Sequence, residues 1–389
     1  GTFPTPIVEY RSLLPVLLVL GAAVIGVLIE ALLPRRARLP LQWVVTFGSL
    51  ATALVALLIG PRADGLLAEG ALAWDGPTRW LQALILVLAI VALLLFTERR
   101  VDPGRDPFAP RASTVPGSDE EKGLTERLVQ QTEVYPLALF AVGGMLLFPA
   151  ANDLLMMFVA LEVLSLPLYL LAGMARRRRL MSQEAALKYF LLGAFATGFL
   201  LYGIALTYGA TGSTNLSTIG KVIVEHQLQS QSMLLVGVGL LLVGFGFKVA
   251  AVPFHMWAPD VYEGAPTPTT AFMASAVKAA AFAVFLRIWL EAFPQMDRAW
   301  IVPVWWLAAV TMLVGNVVAL VQRNIKRLLA YSSVVHSGYL LVAVAAGTRL
   351  GSASFLFYLI AYTLATFGAF AVVASIGTAA ERGQDLTDY

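Results

Sequence analysis

Long apolar stretches, separated by short polar segments, run through almost the whole chain. Their apolar residues do not recur at the spacing of an amphipathic helix. Each stretch is close to the ~20 residues that a helix needs to cross ~30 Å of hydrocarbon. The pattern predicts an all-α polytopic membrane protein. Its eleven predicted spans are residues 12–33, 41–60, 78–97, 134–150, 153–174, 185–209, 232–257, 268–292, 301–321, 328–347 and 354–379.

The distribution of lysine and arginine predicts the orientation of these spans. If the N-terminus lies outside, the inner segments carry 17 basic residues and the outer segments carry six. Cytoplasmic loops are enriched in lysine and arginine, so we expect this orientation. The inner segments are then residues 34–40, 98–133, 175–184, 258–267, 322–327 and the C-terminal tail.

The whole chain, residues 1–389, is predicted to be a single transmembrane domain that begins with three helices in residues 1–97. Its one long polar insertion, residues 98–133, is rich in Pro, Gly, Ser and charges of both signs. A segment of this composition cannot bury enough apolar surface to fold by itself. We therefore expect residues 98–133 to form a mobile cytoplasmic loop without a core of its own.

Composition excludes several classes of function. The chain is 59% apolar and 13% charged, with a mean hydropathy of +0.77, whereas soluble proteins carry about 25% charged residues. It has no cysteine, three histidines and a net charge of only +3. Thiolate-held clusters, a histidine-rich metal site and nucleic-acid binding are therefore not expected. Nucleotide-binding glycine motifs are also missing, so no redox cofactor is predicted in this chain.

Three lysines fall inside predicted spans. An ionisable group at the centre of a bilayer costs at least ~2.5–3.5 kcal/mol, so its first interpretation is functional. Lys278 lies about ten residues into its span, and Lys248 lies away from both ends of its span. Lys188 lies near the predicted cytoplasmic end, where its amine could also simply reach the membrane surface.

Glu162 is an acidic counterpart near the middle of the fifth span. Pro167 follows it, and Pro253 follows Lys248. Because proline lacks an amide hydrogen, each is predicted to break its helix, although an ordinary packing kink is an alternative. Broken helices at membrane depth accompany ion pathways. Burial favours the neutral form of an amine and a nearby carboxylate favours the charged form. Motion of Glu162 relative to Lys248 would therefore make the lysine bind or release a proton, which Lys278 could accept.

His336 is a further candidate in the tenth span, because imidazole exchanges protons near neutral pH. A core histidine that is hydrogen-bonded to a neighbour is an equally good interpretation. The sequence alone does not choose between the two.

Three segments make the chain similar to a known family: ALKYFLLGAFATGFLLYGIALTYGATGSTNL, GFGFKVAAVPFHMWAPDVYEGAPTPTTAFMASAVKAAAF and IKRLLAYSSVVHSGYLL. They closely resemble the antiporter-like membrane subunits of respiratory complex I, above all the subunit N group of the bacterial NADH:quinone oxidoreductases. The resemblance covers about residues 134–379. It implies a bacterial inner-membrane protein that translocates protons when neighbouring subunits reduce quinone.

The resemblance also implies a fold and a set of partners. The family has fourteen helices with two inverted five-helix repeats and a broken helix in each. Residues 134–292 would be the first repeat and residues 301–389 an incomplete second one, and we expect the chain to be truncated after eleven spans. The implied partners are other membrane subunits of complex I and the lipid bilayer. NADH, FMN, iron–sulfur clusters and quinone would be held by partner subunits.

The resemblance assigns roles by position. Glu162 matches the family's charge-pair glutamate, Lys248 matches its partner lysine on a broken helix, and Lys278 matches the central lysine of the next span. Lys188 and His336 also match family positions, which makes them further candidates for the relay. Two alternatives remain open: a subunit of a free-standing cation/proton antiporter, and a structural scaffold that does not conduct protons.

Overall fold

The computed structural model describes residues 9–99, 106–111, 113–127, 129–376 and 384–388. Within these ranges nine helices are long and apolar enough to cross a membrane, and two shorter helices are also apolar. The predicted C-terminal end of the last span, residues 377–379, lies outside the described residues. So do the basic residues Arg100, Arg105 and Arg382.

The first part of the chain contains three long helices and a small hairpin. The elements are α1 (Tyr10–Leu32), α2 (Arg35–Ile59), β1 (Gly65–Leu67), β2 (Leu72–Trp74) and α3 (Gly76–Phe96). The two strands pair antiparallel. Asp75 begins α3 by accepting a hydrogen bond from the backbone N–H of Thr78, which satisfies one of the free amides at the helix start.

The middle of the chain begins with a short polar helix and continues with longer apolar ones. The elements are α4 (Asp119–Glu126), α5 (Val134–Ala150), α6 (Leu154–Ala172), α7 (Arg179–Thr211), α8 (Leu216–Glu225), α9 (Ser232–Lys248) and α10 (Trp257–Gly264). Gly144 lets α5 pack directly on α6, because a Cβ there would lie 2.5 Å from the backbone nitrogen of Leu164. Small residues allow this close approach between membrane helices.

The last part contains a central buried helix and three further long helices. They are α11 (Thr267–Phe272), a π-helical turn (Met273–Val277), α12 (Lys278–Glu291), α13 (Asp297–Ala319), α14 (Ile325–Ala345) and α15 (Arg349–Ile376). In the stretch from Thr267 to Glu291, 94% of the most apolar 18 residues are buried, a far larger share than in any other candidate span of the described chain. Its charged side chains Lys278 and Arg287 find partners in the interior, which lipid could not supply.

Loops predicted to lie on one side of the membrane contact one another. At one end, the backbone N–H of Ala109 donates to Met174, and that of Leu386 donates to Arg323. At the opposite end, the side chain of Asn152 donates to the carbonyl of Gly70. These contacts join the segments as the predicted alternation requires. Which end faces the cytoplasm remains a prediction.

The described part of residues 98–133 differs from the expected mobile loop. Phe108 is fully buried and its ring lies 4.9 Å from that of Phe96. Asp106 forms a buried ion pair with Arg176 at 2.9 Å. The described part of the loop packs on the bundle instead, because Arg176, before α7, offers a charged partner that sequence patterning does not reveal.

Two helix boundaries also differ from the predicted spans. Helix α7 begins at Arg179, six residues before the predicted start at residue 185. Helix α9 ends at Lys248, although the span was predicted to continue to residue 257. Hydropathy detects apolar length, and the non-helical residues 249–256 are nearly as apolar as the helix before them.

Candidate functional site

Lys248, the last residue of α9, lies in the interior of the bundle and is only 7% exposed. Its Nζ donates a hydrogen bond to Oγ of Ser165 at 2.8 Å and lies 3.5 Å from the hydroxyl of Tyr189. Ser165 itself donates to the backbone carbonyl of Leu161. Because that bond uses the hydroxyl hydrogen of Ser165, the lone pairs of its oxygen are left to accept from the lysine.

Glu162 lies on α6, one turn before Ser165, and is half-buried. Its Oε1 accepts a hydrogen bond from Oγ1 of Thr197 on α7 at 3.1 Å. Among the described residues, no ion pair within 4 Å joins Glu162 to Lys248. The structure therefore places the predicted acid and lysine on the same helix interface, but Ser165 and Thr197 are their direct partners.

The interruption after Lys248 is held together by side chains of neighbouring helices. Residues 249–256, which include Pro253, are not helical. The carbonyl of Val249 accepts from Oγ of Ser337 at 2.7 Å, and the N–H of Val252 donates to Oγ1 of Thr311 at 2.9 Å. These bonds satisfy backbone groups that an apolar environment would otherwise leave unpaired.

Pro167 behaves differently from the prediction. Helix α6 continues through it without interruption from Leu154 to Ala172, so the predicted helix break at Pro167 is wrong. Proline removes one amide hydrogen bond, but Pro167 is buried against neighbouring helices. Packing along α6 therefore holds the helical geometry on both sides of the proline.

Lys278 lies directly after the π-helical turn and is 4% exposed. Its Nζ donates to both the backbone carbonyl and Oγ of Ser333 on α14. The hydroxyl of Tyr362 on α15 lies 2.7 Å from that Oγ and also donates to the carbonyl of Ala274. Across the described ranges, no carboxylate pairs with Lys278, and its amine donates to the carbonyl and hydroxyl oxygens of Ser333.

Two small cavities meet at Lys248. The first also contains Ser165 and Thr197 in its wall, and the second also contains Tyr262 and Lys278. Each leaves about 10 Å³ for the centre of a water molecule, which is close to the minimum that a single water needs. Lys248 is thus the shared wall between a cavity on the Glu162 side and a cavity that reaches Lys278.

The two remaining predicted residues occupy different surroundings. Lys188 has a side chain that is 42% exposed and pairs with Asp260 and Glu184, each at 2.8 Å. His336 shares a hydrogen bond between its Nδ1 and the hydroxyl of Tyr358. Its ring centroid lies 5.0 Å from that of Tyr362. His336 therefore adjoins the group around Lys278, whereas Lys188 belongs to a surface network.

Sequence reasoning missed the hydroxyl groups that contact the buried lysines. Ser165 could have been found, because it follows Glu162 by three residues and so shares its face of α6. Tyr189 is adjacent to Lys188 in sequence, and its ring stacks on Trp257 at 4.8 Å. Tyr362 comes from a distant helix, and no local pattern marks it.

Within the described ranges, no three His, Asp or Glu side chains are grouped so that they could hold a metal ion. The side chains of the site supply two amines, several hydroxyls and a carboxylate. Such groups bind and pass protons.

Comparisons with known proteins agree on one family. Its sequence profile, described as the transmembrane domain of NADH:quinone oxidoreductases and Mrp antiporters, matches residues 151–389. NADH-quinone oxidoreductase subunit N of Rhodococcus opacus is 49% identical over 408 residues, which span 100% of this chain and 75% of that protein. NADH-quinone oxidoreductase subunit N of Acidothermus cellulolyticus is 51% identical over 376 residues, which span 96% of this chain and 72% of that protein.

Solved structures show the same fold. Respiratory complex I from Thermus thermophilus with bound aureothin contains a chain with a TM-score of 0.71 and 39% identity, over 92% of this chain and 70% of that one. A chain of the Mrp complex from Dietzia sp. DQ12-45-1b gives a TM-score of 0.74 at 23% identity, over 94% and 65% of the two chains, and shows the fold alone. The match to the family profile, the similar relatives and the shared fold together show that the chain belongs to the transmembrane family of NADH:quinone oxidoreductases and Mrp antiporters.

Proposed function

We propose that the chain is a proton-translocating membrane subunit of NADH:quinone oxidoreductase, and that Glu162, Lys248 and Lys278 carry the protons. The near-full-length similarity to proteins named as subunit N supports the first part. The position of Lys248 between two water-sized cavities is the observation that carries the second part.

The first proton transfer would run from Glu162 to Lys248. Thr197 bonds to Glu162 and lines the first cavity with Lys248. A water there would complete a hydrogen-bonded path from the carboxyl group to the amine. Glu162 releases its proton and becomes a carboxylate, and the proton binds the lone pair of the Lys248 nitrogen. Approach of the resulting carboxylate stabilises the ammonium, and its withdrawal promotes release.

The second cavity supplies the next transfer. The ammonium of Lys248 gives up its proton through water to the neutral amine of Lys278. Ser333 and Tyr362 then provide hydroxyl groups beside Lys278 that can accept and donate in turn. His336, next to Tyr362, would be the following carrier.

The proposal extends to the fold and the surroundings of the chain. Helices α9 and α10 would be the two halves of one broken helix interrupted around Pro253. Residues 134–292 would form the first inverted repeat, and residues 301–389 would be part of the second in a fourteen-helix protein. The N-terminus would face outward. Neighbouring membrane subunits of complex I would be the partners, and NADH, FMN, iron–sulfur clusters and quinone would lie in other subunits.

The test uses the assembled complex in inverted membrane vesicles. Glu162→Gln, Lys248→Ala and Lys278→Ala should each reduce proton pumping while the complex remains intact. Wild-type pumping in all three variants would exclude the relay. Pumping that depends on NADH and quinone supports the oxidoreductase, whereas pumping driven by a sodium gradient alone would favour the antiporter alternative.

A further inference from the structure

Helix α10 is held in place by charged side chains from two neighbouring helices. Asp260 of α10 pairs with Nζ of Lys188 on α7 and with Nη1 of Arg327 on α14, both at 2.8 Å. Glu263 of α10 pairs with the same Arg327 nitrogen at 3.0 Å. We call Lys188, Asp260, Arg327 and Glu263 the α10 clamp.

The end of α10 has a second anchor from α14. Lys326 is 2% exposed, and its Nζ donates to the carbonyls of Glu263 and Ala265 at 2.9 Å and 2.7 Å. A cation at the C-terminus of a helix satisfies free carbonyls and interacts favourably with the helix dipole. The C-terminal end of the eight-residue α10 is thus fixed by a side chain of α14, in addition to the hydrogen bonds within α10 itself.

The position of α10 determines the shape of the path between the two buried lysines. Trp257 and Tyr262 of α10 line the cavity that joins Lys248 to Lys278. The ring of Trp257 also stacks on Tyr189, the residue next to Lys188, with an interplanar angle of 8°. A displacement of α10 from α7 would therefore change the wall of this cavity directly.

Lys188 has the contacts of a structural cation. Its amine pairs with two carboxylates, Asp260 and Glu184, and neither of the two described cavities beside Lys248 includes it. We infer that Lys188 is a positioning residue that holds α10, through Asp260, in the place where its aromatic rings shape the proton path. The inference rests on the proposed function, but it replaces the relay role that the sequence predicts for Lys188.

Arginine separates positioning from proton transfer. It keeps the positive charge and can pair with Asp260, but it does not release its proton at physiological pH. If Lys188 positions α10, Lys188→Arg keeps pumping within about twofold of wild type, and Lys188→Met lowers protons pumped per NADH oxidised at least about threefold, the scale expected for loss of a coupling contact. Glu184→Gln is the matched control, because Glu184 also pairs with Lys188 but forms no ion pair with α10 in the described structure; it should pump normally.

Equal loss in Lys188→Arg and Lys188→Met would overturn the inference in favour of a relay, and normal pumping in Lys188→Met would overturn it as well. If Lys188→Met fails to assemble, Asp260→Asn takes its place, because Asp260 is the α10 acid that pairs with Lys188. Lower pumping in that variant, with Lys188 still present, supports the clamp, and normal pumping contradicts it. Lys248→Ala, measured in parallel, tests the proposed function separately, since normal pumping there refutes the relay whatever happens at Lys188.

Discussion

Replacement of Ser165 by alanine tests the environment of the central lysine. The hydroxyl of Ser165 is the closest acceptor for the Lys248 amine, at 2.8 Å, and the next, the hydroxyl of Tyr189, is 3.5 Å away. The Ser165→Ala variant removes one oxygen atom and leaves the apolar packing almost unchanged. A buried ammonium in this variant loses its main protein partner.

The expected magnitude follows from the charge on the lysine. A hydrogen bond to a charged group contributes ~1.5–3 kcal/mol, and ~1.4 kcal/mol corresponds to a tenfold change in an equilibrium. The equilibrium between charged and neutral Lys248 should therefore shift about tenfold to 150-fold toward the neutral amine. A lysine that is less often protonated delivers fewer protons, so pumping should fall, by as much as the same factor where the neutral amine predominates.

The assay measures proton uptake and NADH oxidation together in inverted vesicles, with complex content equalised. Ser275→Ala is the matched control, because Ser275 is also fully buried and donates to the carbonyl four residues earlier, but it has no lysine partner in the described structure. Pumping by Ser165→Ala that equals pumping by Ser275→Ala would refute the argument that this hydrogen bond sets the protonation of Lys248.

Three further predictions concern packing, an ion pair and a hydroxyl group. A Cβ at Gly264 would lie 2.6 Å from that of Ala185, so Gly264→Ala should lower thermal stability and pumping through an overpacking cost of ~1–3 kcal/mol; Gly239→Ala, where a Cβ meets nothing within 4 Å, should have little effect. Asp75→Asn should lower the melting temperature of the complex at pH 7, because Asp75 pairs with the buried Arg287 at 2.6 Å. Tyr362→Phe should reduce pumping several-fold without loss of assembly, since it removes the hydroxyl bonded to Ser333.

The Asp75 prediction has a pH dependence. Burial raises the pKa of Asp75, but Arg287 and the hydrogen bonds from Thr78 outweigh it, so that the pKa is lowered overall. An acid with a lowered pKa stabilises the folded state above its unfolded pKa and loses that effect as pH falls through its folded pKa. The difference in melting temperature between wild type and Asp75→Asn should shrink below about pH 4. A difference that stays constant with pH would contradict the ion-pair explanation.

The other two predictions have clear contrary results. Equal stability and pumping of Gly264→Ala and Gly239→Ala would show that α7 and α10 can separate without effect on the path. Normal pumping by Tyr362→Phe would remove its hydroxyl from the proposed route beyond Lys278.

The apolar pattern predicted the spans of the bundle because each helix must cross the same thickness of hydrocarbon. The fourth span, residues 134–150, matches α5 residue for residue. Pro253 predicted a break near the end of α9, whereas hydropathy extended the span to residue 257 because it does not sense backbone geometry. Residues 249–256 leave the helix where Ser337 and Thr311, from distant helices, offer hydrogen bonds to the backbone.

For the candidate site, the sequence could predict only which charged side chains lie inside the membrane, not what they contact. The cost of charge in lipid marked Lys248 and Lys278, and both are buried. The partners could not be predicted, because the choice of Ser165 or Ser333 depends on how distant helices pack. The same limit explains Pro167, whose surroundings preserve a helix that its own chemistry disfavours. It also explains Lys188, because its partner Asp260 lies on α10, although its second partner, Glu184, is one turn away on α7.

The most direct test of the account is the number of protons pumped per NADH oxidised by the assembled complex that carries Lys248→Ala. Lys248 is the one residue shared by both cavities of the proposed path. The account predicts a lower ratio than in wild type, with normal assembly. An unchanged ratio in the intact complex would contradict the claim that protons pass through this lysine.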